Sequence, residues 1–123
     1  MDNMKVFLLV FLGSGIGGTL RFSISRIAAK FYPTFPFGTL VSNLLGMFLI
    51  GLFTLWFIDK NMLVSPYREM VLVGFLGGLT TFSSFGFETY TLFVQNRMLD
   101  LSFYLLGNIV IGFALLLLGR YLG

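Results

Sequence analysis

Gly74-Phe75-Leu76-Gly77-Gly78-Leu79-Thr80-Thr81-Phe82-Ser83-Ser84-Phe85-Gly86-Phe87-Glu88 is the stretch on which the reading of this chain turns. It lies within a mostly apolar run from about Glu69 to Val94, long enough to cross a bilayer, which takes about 20 residues of helix. Near the middle of that run Gly77-Gly78 precedes Thr80-Thr81, and glycine weakens a helix. Two readings stand on the residues alone. One is a packing kink whose backbone is satisfied by threonine hydroxyls. The other is a break that frees backbone carbonyls, tolerated at membrane depth only inside protein or beside a water-filled cavity. Freed carbonyls are also hard oxygen ligands suited to a small cation.

Past the glycines come hydroxyls and rings. Thr81, Ser84 and Glu88 stand at i, i+3 and i+7, which predicts one helical face. Phe82 and Phe85 stand at i and i+3 on the neighbouring face. An aromatic ring is positive at its edge, so ring edges tolerate an anion while hydroxyls donate to it. The competing reading is core aromatic packing, the ordinary role of phenylalanine in a chain that carries 16 of them.

Three further runs have the length and apolarity of spans: about 4–29, 37–58 and 101–118, beside 69–94. The chain is 57% hydrophobic and 11% charged, against about a quarter charged for a soluble domain. Lipid as the outer solvent resolves that imbalance. The fold predicted is therefore all-α and integral to a membrane, one four-helix domain over residues 1–123. Lys5 followed by Val6 to Leu12 and then Gly13-Ser14-Gly15 has the layout of a short signal peptide, but apolar character resumes beyond, which favours a retained helix. Connections are short: Phe31 to Pro36, Asp59 to Arg68, and Gln95-Asn96-Arg97 with Asp100.

With no Cys and no His, thiolate and imidazole chemistry are excluded. No base stands near a nucleophile and no phosphate loop is present, so enzyme action is not expected. The net charge of +3 is scattered at segment ends, the place of membrane anchors and not of a nucleic-acid footprint. Four spans put both termini on one side, with Lys5, Lys60, Arg68 and Arg120; Arg26, Lys30 and Arg97 flank the other. Four against three is almost no bias for the positive-inside rule to act on. Either the chain inserts both ways up, which would build an antiparallel dimer, or one orientation wins for reasons outside the count. The pairs Gly13/Gly17 and Ser14/Gly18 favour close helix contact.

Arg21 and Glu88 are the charges that look intramembrane, away from the span ends, where charge is a functional hypothesis by default. Arg21 is placed to pair with Glu88 or to attract anions to an entry. Asn43 in the second span offers an amide donor to an anion, or a bond between helices.

These features together resemble the Fluc/CrcB family of fluoride channels. The match is close over Gly77-Gly78-Leu79-Thr80-Thr81-Phe82-Ser83-Ser84-Phe85, and Arg21-Phe22, Gly38-Thr39-Leu40-x-x-Asn43-x-x-Gly46 and the four-span length agree with it. The resemblance implies a dual-topology, antiparallel homodimer in a bacterial plasma membrane, with a broken third helix and two fluoride pathways. It implies a structural sodium ion at the dimer interface, held by the carbonyls of Gly77 and Thr80. It assigns the aromatic box to Phe82 and Phe85, hydroxyl positions to Ser83 and Ser84, a polar side chain beside the box to Asn43, an aromatic of helix four to Tyr104, and an acid near the pathway end to Glu88. The family usually has Thr where Ser84 stands; the hydroxyl survives. Asn108 stands where small hydroxyl residues are frequent and receives no role. The implied biology is export of trapped cytoplasmic fluoride, with lower fluoride toxicity. The main rival is a small proton-coupled multidrug exporter, which needs an acid in helix one where this chain carries Arg21. A second is a small structural subunit of a larger membrane complex, which leaves the hydroxyl stripe unexplained.

Overall fold

The structure, a computed structural model, describes residues 3–123. Four helices account for nearly all of them: α1 (Asn3–Phe31), α2 (Phe37–Asp59), α3 (Tyr67–Val94) and α4 (Met98–Leu122). At 1.5 Å per residue even α2 reaches roughly 35 Å, against about 30 Å of hydrocarbon. All four are long and apolar enough to cross a membrane. The turns follow from local chemistry. Pro33 and Pro36 stop α1 and introduce α2. Asn61 (φ 53°) and Asn96 (φ 57°) supply left-handed backbone where the chain reverses after α2 and α3. Asp100, read from sequence as part of the third turn, instead lies in the first turn of α4, where a carboxylate suits the helix dipole; it accepts from Arg97 Nε at 3.0 Å.

The packing is inside-out. Among the described residues only Leu76, Leu79, Leu92 and Tyr104 are buried large hydrophobics, while many Phe, Leu and Ile side chains are exposed and the others only half-buried. Lipid tails are as apolar as leucine, so helices associate through small residues that let backbones meet. Gly13 and Gly17 put α1 against α3: a methyl on Gly17 would stand 2.0 Å from the Phe75 carbonyl oxygen. From α3, Gly78 meets the Ser14 carbonyl in the same way, at 2.4 Å. Gly51 and Gly119 do the same between α2 and α4.

Two features of these helices position the site. Helical dihedrals stop after Leu79 and resume at Phe82; Thr80 (φ −96°, ψ 156°) and Thr81 (φ −150°, ψ 128°) are extended. In α4, residues Gly107–Ile111 form a π-helical turn, a local widening that re-aims side chains, and Asn108 lies in it.

Candidate functional site

The extended pair reorganises hydrogen bonding at the centre of α3. Thr80 N–H still closes on the Leu76 carbonyl at 3.0 Å, and its hydroxyl donates to the same oxygen at 2.9 Å. The Thr81 N–H leaves the helix and donates to Asn43 Oδ1 at 2.8 Å. Asn43 Nδ2 in turn donates to the Thr81 carbonyl at 3.2 Å and to Asn108 Oδ1 at 2.9 Å. Both amide hydrogens of Asn43 are thereby engaged within the chain, and of the two roles open to it the bond between helices is the one formed here. Thr81 Oγ1 accepts the Ser84 N–H at 3.1 Å, so Thr81 is the N-cap of Phe82–Val94. The single helical face expected for Thr81, Ser84 and Glu88 is therefore not formed: Thr81 precedes the helix and its hydroxyl is turned back to close it. The Ser83 hydroxyl lies 3.3 Å from that of Thr81 and is exposed.

Arg21 and Glu88 do not meet. Arg21 Nε donates to the Gly78 carbonyl at 3.0 Å, one turn beyond the Gly17 contact on the same face of α1. Glu88 accepts from Thr39 Oγ1 at 2.8 Å and from the Tyr104 hydroxyl at 2.5 Å. Each charge is satisfied by polar groups of the neighbouring helices, which removes the reason for them to pair.

The rings form a continuous row. Phe82 and Phe85 have centroids 5.9 Å apart, Phe85 and Tyr104 5.4 Å, and Tyr104 meets Phe35 edge-on at 5.8 Å. This row joins two cavities. One, of about 380 Å³, is lined by Asn43, Gly77, Thr80, Phe82, Phe85 and Asn108 among others. The other, of about 480 Å³, is lined by Phe35, Thr39, Glu88 and Arg97 among others. Tyr104, fully buried, stands between them with its hydroxyl on Glu88. Phe82, by contrast, is 85% exposed, a large ring beside an exposed Ser83 with nothing of this chain over it.

Asn43, Phe82 and Phe85 line the first cavity with Gly77 and Thr80, Glu88 lines the second, and Tyr104 links them along one line through its ring contact with Phe85 and its bond to Glu88. Ser83 and Ser84 line neither cavity, and Arg21 bonds to Gly78 of α3. Thr39, Asn108 and Phe35 belong to the same line and were missed as site residues. The available signal was spacing: Thr39/Asn43 and Tyr104/Asn108 are both i, i+4 pairs, each projecting polar groups from one face of an apolar helix.

Four membrane-crossing helices around a polar line make this a multi-pass membrane protein. Residues 8–120 match the family described as CrcB-like protein, Camphor Resistance (CrcB), and the chain belongs to that family. It is similar to proteins named Fluoride-specific ion channel FluC from several bacteria. With that of Aquifex aeolicus it is 40% identical over 122 residues, 98% of either chain. With that of Hydrogenobaculum sp. it is 39% identical over 117 residues, 95% of this chain and 96% of the relative. With that of Chloroflexus aurantiacus it is 38% identical over 121 residues, 98% of this chain and 96% of the relative.

Proposed function

We propose that this chain is the subunit of a fluoride-selective channel that lets cytoplasmic fluoride out of a bacterium across its plasma membrane. The observation that carries the reading is the ring row through buried Tyr104, joining one cavity to the other. Its residues come from three different parts of the fold, and the chain's family membership supports the same assignment.

Fluoride holds its hydration shell tightly, and removing that shell without replacement is very costly. Ring edges of Phe82 and Phe85 and the hydroxyls of Ser83 and Ser84 replace it in short steps, with Asn43 and the ring of Tyr104 in the wall. Several weak sites in series let an ion enter and still leave. The guanidinium of Arg21 donates to the Gly78 carbonyl, so it does not stand free in the ring row to trap the anion. An inside-negative potential drives the anion outward.

The functional form in this reading is an antiparallel, dual-topology homodimer. The near-equal basic residues on the two sides support insertion both ways up. Exposed Phe82, and Gly77 with nothing beyond its chain neighbours and its own helix backbone within 4 Å of where a side chain would begin, support a second copy lying over this face. The third helix is then broken at Thr80-Thr81, and the residues present fit a structural sodium ion there. The amides that would close on the Gly77 and Thr80 carbonyls in a continuous helix, those of Thr81 and Ser84, donate to Asn43 and to the Thr81 hydroxyl. That leaves two hard oxygen donors of the kind such a cation takes. The ion would supply positive potential and a link between the two copies.

The test is fluoride efflux from liposomes holding the purified protein, read with a fluoride electrode after a potassium ionophore is added. Rapid fluoride release without chloride release under matched conditions is expected. No release from a well-folded dimer would overturn the proposal and direct attention to proton-driven export of cationic drugs.

A further inference from the structure

Two amides at the centre of α3 donate to side chains, and they are the two that a regular helix would direct at the Gly77 and Thr80 carbonyls. Two side chains therefore release the two oxygens, one each. Asn43 takes the Thr81 N–H, and the Thr81 hydroxyl takes the Ser84 N–H. Regular bonding holds immediately before this point, where Thr80 N–H closes on Leu76. The release is local.

The orientation of the Asn43 amide is dictated from behind. Asn108 Nδ2 donates to the Tyr104 carbonyl at 2.9 Å, which commits its nitrogen and leaves Asn108 Oδ1 facing Asn43. Asn43 must then present nitrogen to Asn108, and its oxygen is left for the Thr81 N–H. A primary amide has one oxygen acceptor and two N–H donors, and this arrangement uses all three. Reversing either amide would set nitrogen against nitrogen or oxygen against oxygen.

A simple helix cap accounts for the Thr81–Ser84 bond and no more. It does not account for two asparagines in tandem on α2 and α4, whose burial in a membrane has to be compensated by hydrogen bonds. We infer that Asn43, oriented by Asn108 and working with Thr81, is the positioning device of a backbone-carbonyl cation site: it draws the Thr81 and Ser84 amides away so that Gly77 and Thr80 offer uncontested oxygens. This rests on the cation reading given under the proposed function and concerns the cation, not the anion path. Asn108, from the π-helical turn of α4, fixes which way round the Asn43 amide faces the break.

The experiment uses the full chain purified in detergent without fluoride, in an N-methylglucamine salt at constant ionic strength. Sodium is titrated in, and the melting temperature gives the sodium concentration of half-maximal stabilisation. The wild type should show a saturable, sodium-specific rise. Asn43→Ala and Thr81→Val should raise the half-maximal concentration about tenfold, since each returns a competing amide to one oxygen. Asn108→Ala should raise it about threefold, because Asn43 keeps its oxygen but loses its fixed orientation. Thr81→Ser, which keeps the hydroxyl, should stay within about twofold. If Asn43→Ala does not purify as a single species, the contrast between Thr81→Val and Thr81→Ser decides. Midpoints for both Asn43→Ala and Thr81→Val within about twofold of wild type would overturn the inference, as would a wild type with no sodium-specific rise. Because fluoride is absent, failure here is distinct from failure to conduct it.

Discussion

Gly17→Ala tests the seam on which the position of the site depends. The added methyl would stand 2.0 Å from the Phe75 carbonyl oxygen, 2.8 Å from the Leu79 nitrogen and 3.0 Å from the Phe75 carbonyl carbon. All three are backbone atoms and none can swing aside. Ordinary contact begins at 3.4 Å, so α1 must move from α3 by roughly 1 Å. Overpacking of this kind costs about 1–3 kcal/mol. The same movement draws Arg21 Nε away from the Gly78 carbonyl, now at 3.0 Å, and a hydrogen bond from a charged donor contributes about 1.5–3 kcal/mol. A total loss of about 2.5–6 kcal/mol follows when both act. The matched control is Gly15→Ala, two residues away in the same helix, where nothing beyond its chain neighbours and the helix's own backbone lies within 4 Å of the added methyl. There the change should be no more than about 1 kcal/mol, in the stabilising direction that removing a helical glycine gives. Unfolding of the purified protein in mixed micelles, followed by the fluorescence of the one tryptophan, Trp56, and by helical dichroism, measures both. Equal effects of the two substitutions would refute the backbone contact between α1 and α3, and with it the placement of Arg21 over the centre of α3.

Three further outcomes are expected. Phe82→Ile or Phe85→Ile should abolish fluoride flux while the dimer persists by cross-linking; normal flux in both would refute the ring-edge path. Tyr104→Phe keeps the ring between Phe85 and Phe35 but removes a donor to Glu88, and should destabilise the protein by about 1.5–3 kcal/mol, with Thr39→Val in the same direction; unchanged unfolding curves for both would show that the carboxylate is held in another way. Arg120→Ala removes an exposed ion pair with Asp59 and should cost no more than about 1 kcal/mol and leave flux unaltered, which liposome efflux and the same unfolding assay check together.

Much of the architecture was legible in the chain because lipid imposes a simple rule: about 20 apolar residues per span, with turns marked by Pro, Asn and charge. The Gly13/Gly17 pair announced a close helix contact, and the helix it meets is α3. The glycines before Thr80-Thr81 marked the place where helical dihedrals stop, but left a packing kink and freed carbonyls both open. What spacing misjudged was the part played by Thr81. Its place at i to Ser84 and Glu88 predicts a shared face only if the helix is continuous, and an extended residue has no face. Likewise, Arg21 and Glu88 stood out as possible partners because both lie well inside their spans, yet nearer carbonyls and hydroxyls satisfy them first.

The sequence by itself determined that this is a four-helix membrane chain with polar groups concentrated in its third span, since hydropathy and helix-breaking residues act locally along the chain. Only the tertiary structure decided which polar atom answers which. The pairing of Asn43 with Thr81 and Asn108, and of Glu88 with Thr39 and Tyr104, joins residues 16 to 65 positions apart. A buried donor or acceptor must find a partner wherever the packing brings one within about 3 Å, and periodicity along one helix carries no information about what its neighbours present.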